Sequence, residues 1–338
     1  MEKVEEIIQT GKLELINADE NEFRMSEEEK NKYKTWSTDF LGTFIYTCEE
    51  QLLKSVFFIF EKEKIGKILK IDESCIYVFI KTVIHIYYPN PFHNSNHAVE
   101  VLYNGYAIFK KLEKYNICSK LENISLFLAL FLHDVNHLGL TSENLYNKSV
   151  VLRNKFGLNS LCEKMHFFIS CKILLNEKKG IFKNLNDVER SLALSVIKEC
   201  ILATDIKGQS KIIELFKNKY FITSESVYKK NELKRNNNSK EVGRVEFLMI
   251  IKMADLTNLT KSRSMSFQSA QLLKKEMCIS TNAFSCQVDI HGECTFFKKI
   301  VLPLFQIFSL VFEELRTIYS RCYKNYLAYK KISRLDEK

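Results

Sequence analysis

The sequence predicts an all-α protein, and three observations carry that prediction. Only 3 prolines and 10 glycines interrupt 338 residues, so long stretches run without a helix breaker. Apolar residues recur at the three- and four-residue spacing of one helix face through most of the chain. No stretch sustains the two-residue alternation of a half-buried strand, and no internal repeat is present.

Residues 1–35 are polar and charged and predict a loose helical lead-in. From Trp36 the spacing of Phe40, Phe44, Cys48 and Leu52 opens the helical body. Helices are then predicted at Ser55 to Phe60, Cys75 to Tyr88, His97 to Leu112, Ser125 to His133, Ser160 to Leu175, Asp187 to Thr204, Val245 to Leu256 and Ser266 to Met277. A long amphipathic helix follows from Phe296 to Lys331, with Phe297, Ile300, Val301, Leu304, Phe305, Phe308 and Phe312 as its apolar face. The polar segment 229–241 is the one strong linker candidate. Helices on both sides of it carry candidate ligands, so it reads as an excursion from one domain over 36–331, with a tail at 332–338.

A net charge of +9 is spread along the chain. Its densest basic stretch, Lys229 to Lys240, is rich in Asn and has no interleaved aromatics, which predicts a solvated loop and no nucleic-acid partner. The 10 cysteines show no C-x-x-C and no regular spacing, as expected of free thiols in a reducing compartment. The start, Met1-Glu2-Lys3-Val4-Glu5-Glu6, is charged and unlike a signal peptide. The longest apolar run, Ile124 to Leu132, falls short of the ~20 residues of a membrane span. No span is predicted in this chain, and a cytoplasmic location is expected, or the cytosolic part of a longer, membrane-tethered protein. That run ends at His133-Asp134, as a buried helix would if it delivered ligands to a core site.

Five of the 7 histidines fall in three short clusters: His93-Asn94-Ser95-Asn96-His97, His133-Asp134-Val135-Asn136-His137 and Glu163-Lys164-Met165-His166. Ala254-Asp255-Leu256 stands far downstream. Histidines four apart share one helix face, or meet at a helix's first turn. An adjacent His and Asp can reach a common point at a helix end. Imidazole nitrogen with carboxylate oxygen suits Zn²⁺, and carboxylate with water suits Mg²⁺ or Mn²⁺. One aspartate can bridge two ions, which together clamp a phosphoryl group and acidify a water. His85 and His291 stand alone and read as ordinary core histidines.

At these residues the chain resembles the class I 3′,5′-cyclic nucleotide phosphodiesterases. The resemblance rests on Asn90-Pro91-Phe92-His93-Asn94 with His97-Ala98, on His133-Asp134-Val135-Asn136-His137-Leu138-Gly139, and on Ser160-Leu161-Cys162-Glu163-Lys164-Met165-His166. It continues through Ile201-Leu202-Ala203-Thr204-Asp205, Ala254-Asp255-Leu256-Thr257-Asn258, and Glu293-Cys294-Thr295-Phe296 ahead of Pro303-Leu304-Phe305. These are six ordered motifs in register, and the resemblance covers roughly Trp36 to the late 320s.

The resemblance implies a compact multi-helix domain of the HD type and hydrolysis of a cyclic nucleotide to the 5′-monophosphate. It implies His97, His133, Asp134 and Asp255 as ligands of a tight Zn²⁺, with Asp134 bridging to a second ion, Mg²⁺ or Mn²⁺. A hydroxide between the ions would attack phosphorus, and His93 would protonate the leaving 3′ oxygen. His137, Glu163, His166 and Thr204 would stand near the metal waters, Glu163 also holding His93 protonated, with Asn94 in support. Phe92, Asn258, Leu273, Glu293 and Phe296 would meet the substrate. A homodimer is one assembly open to the chain. The competing readings are another HD-type nucleotide phosphohydrolase and a non-catalytic cyclic-nucleotide-binding relative.

The chief departure is Glu293, where the family carries glutamine. Counting back from Pro303 places it there and makes Phe296 the aromatic clamp, whereas Gln287-Val288 would give another register only with an insertion. An ionised carboxylate only accepts hydrogen bonds, and guanine offers two N–H donors on one edge, so Glu293 tilts the expectation toward cGMP. Asn258 pulls the other way, since asparagine is frequent there in cAMP-selective members. Phe92 for tyrosine, Asn136 for aspartate, Lys164-Met165 for Asn-His and Leu259 for a frequent proline are milder departures. None removes an expected ligand.

Overall fold

A computed structural model describes residues 1–15, 48–220, 222, 241–281 and 286–336, and among them every regular element is helical. The helices are α1 (Glu2–Thr10), α2 (Glu49–Lys62), α3 (Ile65–Leu69), α4 (Glu73–Ile86), α5 (Ser95–Leu112), α6 (Lys120–Leu132), α7 (Ser142–Lys148) and α8 (Val150–Phe156). They continue as α9 (Leu161–Leu174), α10 (Asp187–Ala203), α11 (Gln209–Lys219), α12 (Arg244–Asp255), α13 (Arg263–Thr281), α14 (Ile290–Phe296), α15 (Leu302–Val311) and α16 (Arg316–Asp336). The apolar spacing that begins at Trp36, Phe40 and Phe44, and almost all of the 229–241 segment, lie outside the described residues.

Helices begin where a short polar residue precedes an apolar run. Asp72 accepts from the Cys75 amide at 2.7 Å to start α4. Ser119 and Glu122 form a reciprocal capping box at α6, and Asn186 and Glu189 do the same at α10. Between these ends α6 runs as a rod with every residue from Ile124 to Leu132 buried, as its unbroken apolar sequence predicts. It packs along α10 and α5, and α12 packs on α5, so α5, α6 and α12 converge. The crossing of α5 and α6 is close enough that a Cβ on Gly105 would come within 2.4 Å of a Leu130 methyl.

One large apolar core runs from Ile7 to Tyr329. A satellite core of Val4, Leu145, Leu152, Leu161, Cys162 and Met165 sits beneath α9, and α1 contributes to both. The lead-in thus contains a docked helix, with Glu5 accepting from the Ser149 hydroxyl at 2.5 Å.

The expected single helix from Phe296 to Lys331 is divided. A π-helical turn at Phe297–Val301 joins α14 to α15, and the chain breaks at Phe312 (φ −106, ψ 98) before α16. Pro303 stands in the first turn of α15, and its missing N–H interrupts the hydrogen-bond ladder where the wider turn meets that helix. The break folds α16 back onto α14 and α15, burying Phe297, Val301, Leu304, Phe305, Phe308 and Phe312. The stretch Ile290–Val311 is long and apolar enough, by composition, to cross a membrane, although the apolar runs of the sequence predict no span there.

Candidate metal centre and active site

The first histidine cluster is set by a cap. The chain leaves α4 through Pro89-Asn90-Pro91, and Asn94 caps α5 by accepting from the Asn96 amide at 2.9 Å and the His97 amide at 3.2 Å. His97 therefore projects from the first turn of α5, while His93 lies just before the helix. Asn90 joins two clusters, its side-chain amide donating to the carbonyls of His93 at 2.9 Å and His137 at 2.7 Å.

The second cluster occupies a turn beyond α6, which ends at Leu132, so His133 and His137 do not share a helix face as their spacing suggested. The turn needs a left-handed residue at Asn136 (φ 64), a conformation asparagine tolerates better than most side chains. His133 Nδ1 donates to the Leu130 carbonyl at 3.0 Å, which turns Nε2 toward Asp134 and Asp255.

Four side chains converge. His97 Nε2 lies 3.2 Å from Asp255 Oδ1 and 3.7 Å from Asp134 Oδ2, and His133 Nε2 lies 3.5 Å and 3.3 Å from the same two atoms. The other Asp134 oxygen, Oδ1, faces His166 Nδ1 at 3.4 Å. The Nε2 atoms of His97 and His133 and both ring nitrogens of His166 are buried without a hydrogen-bond partner. Buried orphans of this kind are costly unless something else satisfies them, and two imidazoles with two carboxylates satisfy a divalent cation. The donor atoms of His97, His133, Asp134 and Asp255 all fall within 4.8 Å of one another, as do those of Asp134, His137 and His166. The residues therefore fit a metal centre.

The electrostatics agree. Burial pushes the Asp134 carboxyl up, but the facing His133 outweighs it and holds it well below the usual range. Burial lowers His166 to about 4, and burial together with the charge of His93 lowers His137, so both are neutral.

His93 differs. Burial opposes its charge, yet a 2.6 Å hydrogen bond from Nδ1 to Glu276 Oε1, with the nearby carboxylates, raises its pKa. Glu276 also accepts from the Phe92 and His93 amides, both at 2.9 Å, and although burial pushes its carboxyl up, His93 holds it at about 2. The carboxylate that meets His93 is thus Glu276, whereas the motif led to the expectation of Glu163. Glu276 lies on α13, remote in sequence. Its one signal is an acid on the helix face of Ser266, Ser269, Ala270 and Leu273, where burial is otherwise the rule.

Glu163 occupies the other side of the centre, with Oε2 buried and unpartnered, and burial followed by the charges of Asp205 and Asp134 pushes it up to about 7. Thr204 donates to the Ile201 carbonyl at 2.8 Å and closes α10. The next residue, Asp205, accepts from Ser160 at 2.7 Å and so ties this turn to the start of α9, which carries Glu163 and His166. Lys252, only 3% exposed, donates to the carbonyls of Ala203 at 2.8 Å and Asp205 at 3.3 Å. Sequence reasoning missed it; a lysine three residues before Asp255 on a largely apolar helix was the available signal.

Phe92 packs on the rings of His93 and His97, both 4.9 Å away. Asn258 follows Asp255 on a short 3₁₀ turn, with its buried Oδ1 unpartnered. Leu273 is half-buried one turn before Glu276 on the same side of α13. Glu293 and Phe296 are half-buried on α14, and among the described residues no hydrogen bond or ion pair joins Glu293 to the histidines. His85 and His291 stand apart from the site as expected, but both are exposed on helix surfaces, not core residues. None of the ten cysteines forms a disulfide.

An all-helical fold whose helix ends deliver histidines and aspartates to one buried point fits the class of metal-dependent hydrolases. The description "3'5'-cyclic nucleotide phosphodiesterase" matches residues 92–322, and the chain belongs to that family. It is similar to the "cGMP-specific 3',5'-cGMP phosphodiesterase 3" of Dictyostelium discoideum, 25% identical over 82% of this chain and 60% of the relative. It is also similar to a "3',5'-cyclic-AMP phosphodiesterase, isoform F" of Drosophila melanogaster, 26% identical over 72% of this chain and 36% of the relative. The chain thus spans only part of the curated relatives it matches. Its fold is that of the phosphodiesterase domain of a rhodopsin fusion protein from the choanoflagellate Salpingoeca rosetta, with a TM-score of 0.77 at 22% identity over 91% of this chain and 99% of that one. The expected family and all-α fold are borne out.

Proposed function

We propose that this chain hydrolyses 3′,5′-cyclic nucleotides to 5′-monophosphates, cGMP ahead of cAMP. The observation that carries this is the pair of divergent oxygens on Asp134, one toward His97 and His133 and the other toward His166. Such an aspartate suits a centre of two ions, Zn²⁺ with His97, His133, Asp134 and Asp255, and Mg²⁺ or Mn²⁺ on the Asp134, His137 and His166 side. When bound, the ions would neutralise the phosphoryl oxygens and acidify a water.

The chain's own groups do the rest. Glu276 fixes the Nδ1 side of His93, so the proton on Nε2 is the one available to the leaving 3′ oxygen, a poor leaving group without it. Glu163, His137 and His166 line the centre as neutral or weakly acidic groups that can orient water. Phe92 keeps the His93 and His97 rings in place, and Asn258, Leu273, Glu293 and Phe296 are the base-facing candidates.

Burial and Asp289 push the Glu293 carboxyl up. Protonated, it presents one donor and one acceptor as glutamine does; ionised, it accepts from the N–H groups of guanine alone. The cGMP-to-cAMP ratio of kcat/KM should therefore rise with pH, and Glu293→Gln should flatten it. Turnover of both nucleotides by the metal-loaded chain tests this. A ratio unchanged by the substitution refutes the assignment of Glu293, and no turnover of either nucleotide refutes the function.

A further inference from the structure

A polar cleft, about half open to solvent, lies at the far ends of the two helices that carry His97 and His133. Its volume is about 670 Å³, the size of a small-molecule site. Helix α6 starts at the cavity with Lys120 and ends one residue before His133, so helical rise puts roughly 20 Å between cavity and metal centre.

The cavity wall is cationic. Lys62, Lys64, Lys67 and Lys120 line it, and none of them pairs with a carboxylate among the described residues. Two glutamates also line it, and both are already engaged. Glu63 accepts from the Tyr106 hydroxyl at 2.7 Å and from Lys110 at 3.5 Å, and Glu113 pairs with Lys110 at 2.5 Å. The uncompensated charge on the wall is therefore positive, and clustered phosphates are its natural complement.

Two further features narrow the ligand. Ile68, Ile124 and Phe127 give the cavity an apolar side suited to a ring. Asn123, also on the wall, has a buried Oδ1 with no hydrogen-bond partner, an acceptor waiting for an N–H or O–H donor. A bare inorganic anion satisfies neither.

We propose that this cavity binds a nucleoside polyphosphate, with its phosphates among Lys64, Lys67 and Lys120 and its base or sugar against Ile68, Ile124 and Asn123. The site is separate from the metal centre and does not rest on its chemistry.

Isothermal titration calorimetry on the full chain with ATP and GTP, at fixed ionic strength and without added divalent ions, tests it. Saturable binding is expected, weakening as salt rises. Lys64→Glu with Lys67→Glu, and separately Lys120→Glu, should each weaken it at least about tenfold. All three lysines are exposed, so an unchanged thermal midpoint confirms that the variants fold. Absence of saturable binding, or equal affinity in wild type and both variants, overturns the proposal. Inorganic tripolyphosphate and inositol hexakisphosphate should bind more weakly than the nucleotides, and binding of either as tightly as ATP overturns the assignment to nucleotides.

Discussion

Replacing Glu276 with glutamine tests the proposed proton donor, His93, apart from the candidate metal centre. The carboxylate is 4% exposed and meets His93 Nδ1 at 2.6 Å, so it acts on the imidazolium with little solvent screening. A hydrogen bond to a charged group is worth ~1.5–3 kcal/mol net, and one pH unit corresponds to ~1.4 kcal/mol. Loss of the charge should therefore lower the His93 pKa. As the proposed donor, His93 acts in its protonated form, so the alkaline limb of the kcat profile should move to lower pH. Above the new limb the rate on cGMP should fall about 10- to 100-fold. The glutamine oxygen can still accept from the Phe92 and His93 amides, so the loop keeps its 2.9 Å anchors and the change is confined to charge. The assay is a pH–rate profile on cGMP beside one on a p-nitrophenyl phosphodiester, whose phenolate leaves without a proton. The cyclic substrate should lose rate and the activated one should keep most of it. Equal losses on both, or an alkaline limb that does not move, would refute His93 as the donor.

Three other perturbations follow from the structure. Burial raises Glu163 from 4.5 to about 7, so ionisation of the unfolded chain draws stability away as pH rises through that window; Glu163→Gln should raise the thermal midpoint of the metal-free chain at pH 8 and leave it unchanged at pH 4, read by calorimetry. Lys252→Met should cost about 1–3 kcal/mol in urea unfolding, because it removes a buried donor from the carbonyls of Ala203 and Asp205; a neutral result would show that relief from burying a charge offsets the lost bonds. Gly105→Ala should destabilise by about 1–3 kcal/mol in the same assay, since its Cβ would overlap Leu130 where α5 crosses α6.

The histidine clusters are legible in the sequence because ligation restricts residue type. His97, His133, Asp134 and Asp255 meet as their motifs implied, and the apolar run from Ile124 does end at the centre. Spacing misleads about the backbone. The four-residue interval of His133 and His137 looks helical, yet a left-handed Asn136 turns the chain there. The stretch from Phe296 to Lys331 looks like one helix, yet the break at Phe312 folds its second half back onto its first. A periodic pattern records which side is buried and does not record where a hydrogen-bond ladder is interrupted.

The sequence by itself determined the helical class, the family and the four candidate ligands, because each rests on residue type at short range. Tertiary structure decided the partnerships. It brought Glu276 to His93 across 183 residues and placed Lys252 behind the Ala203–Asp205 turn. It also gathered four lysines from three helices and a connecting turn around a second cavity. Long-range charge pairing leaves no local pattern, since its energy depends on distance and burial, and only the folded chain fixes those.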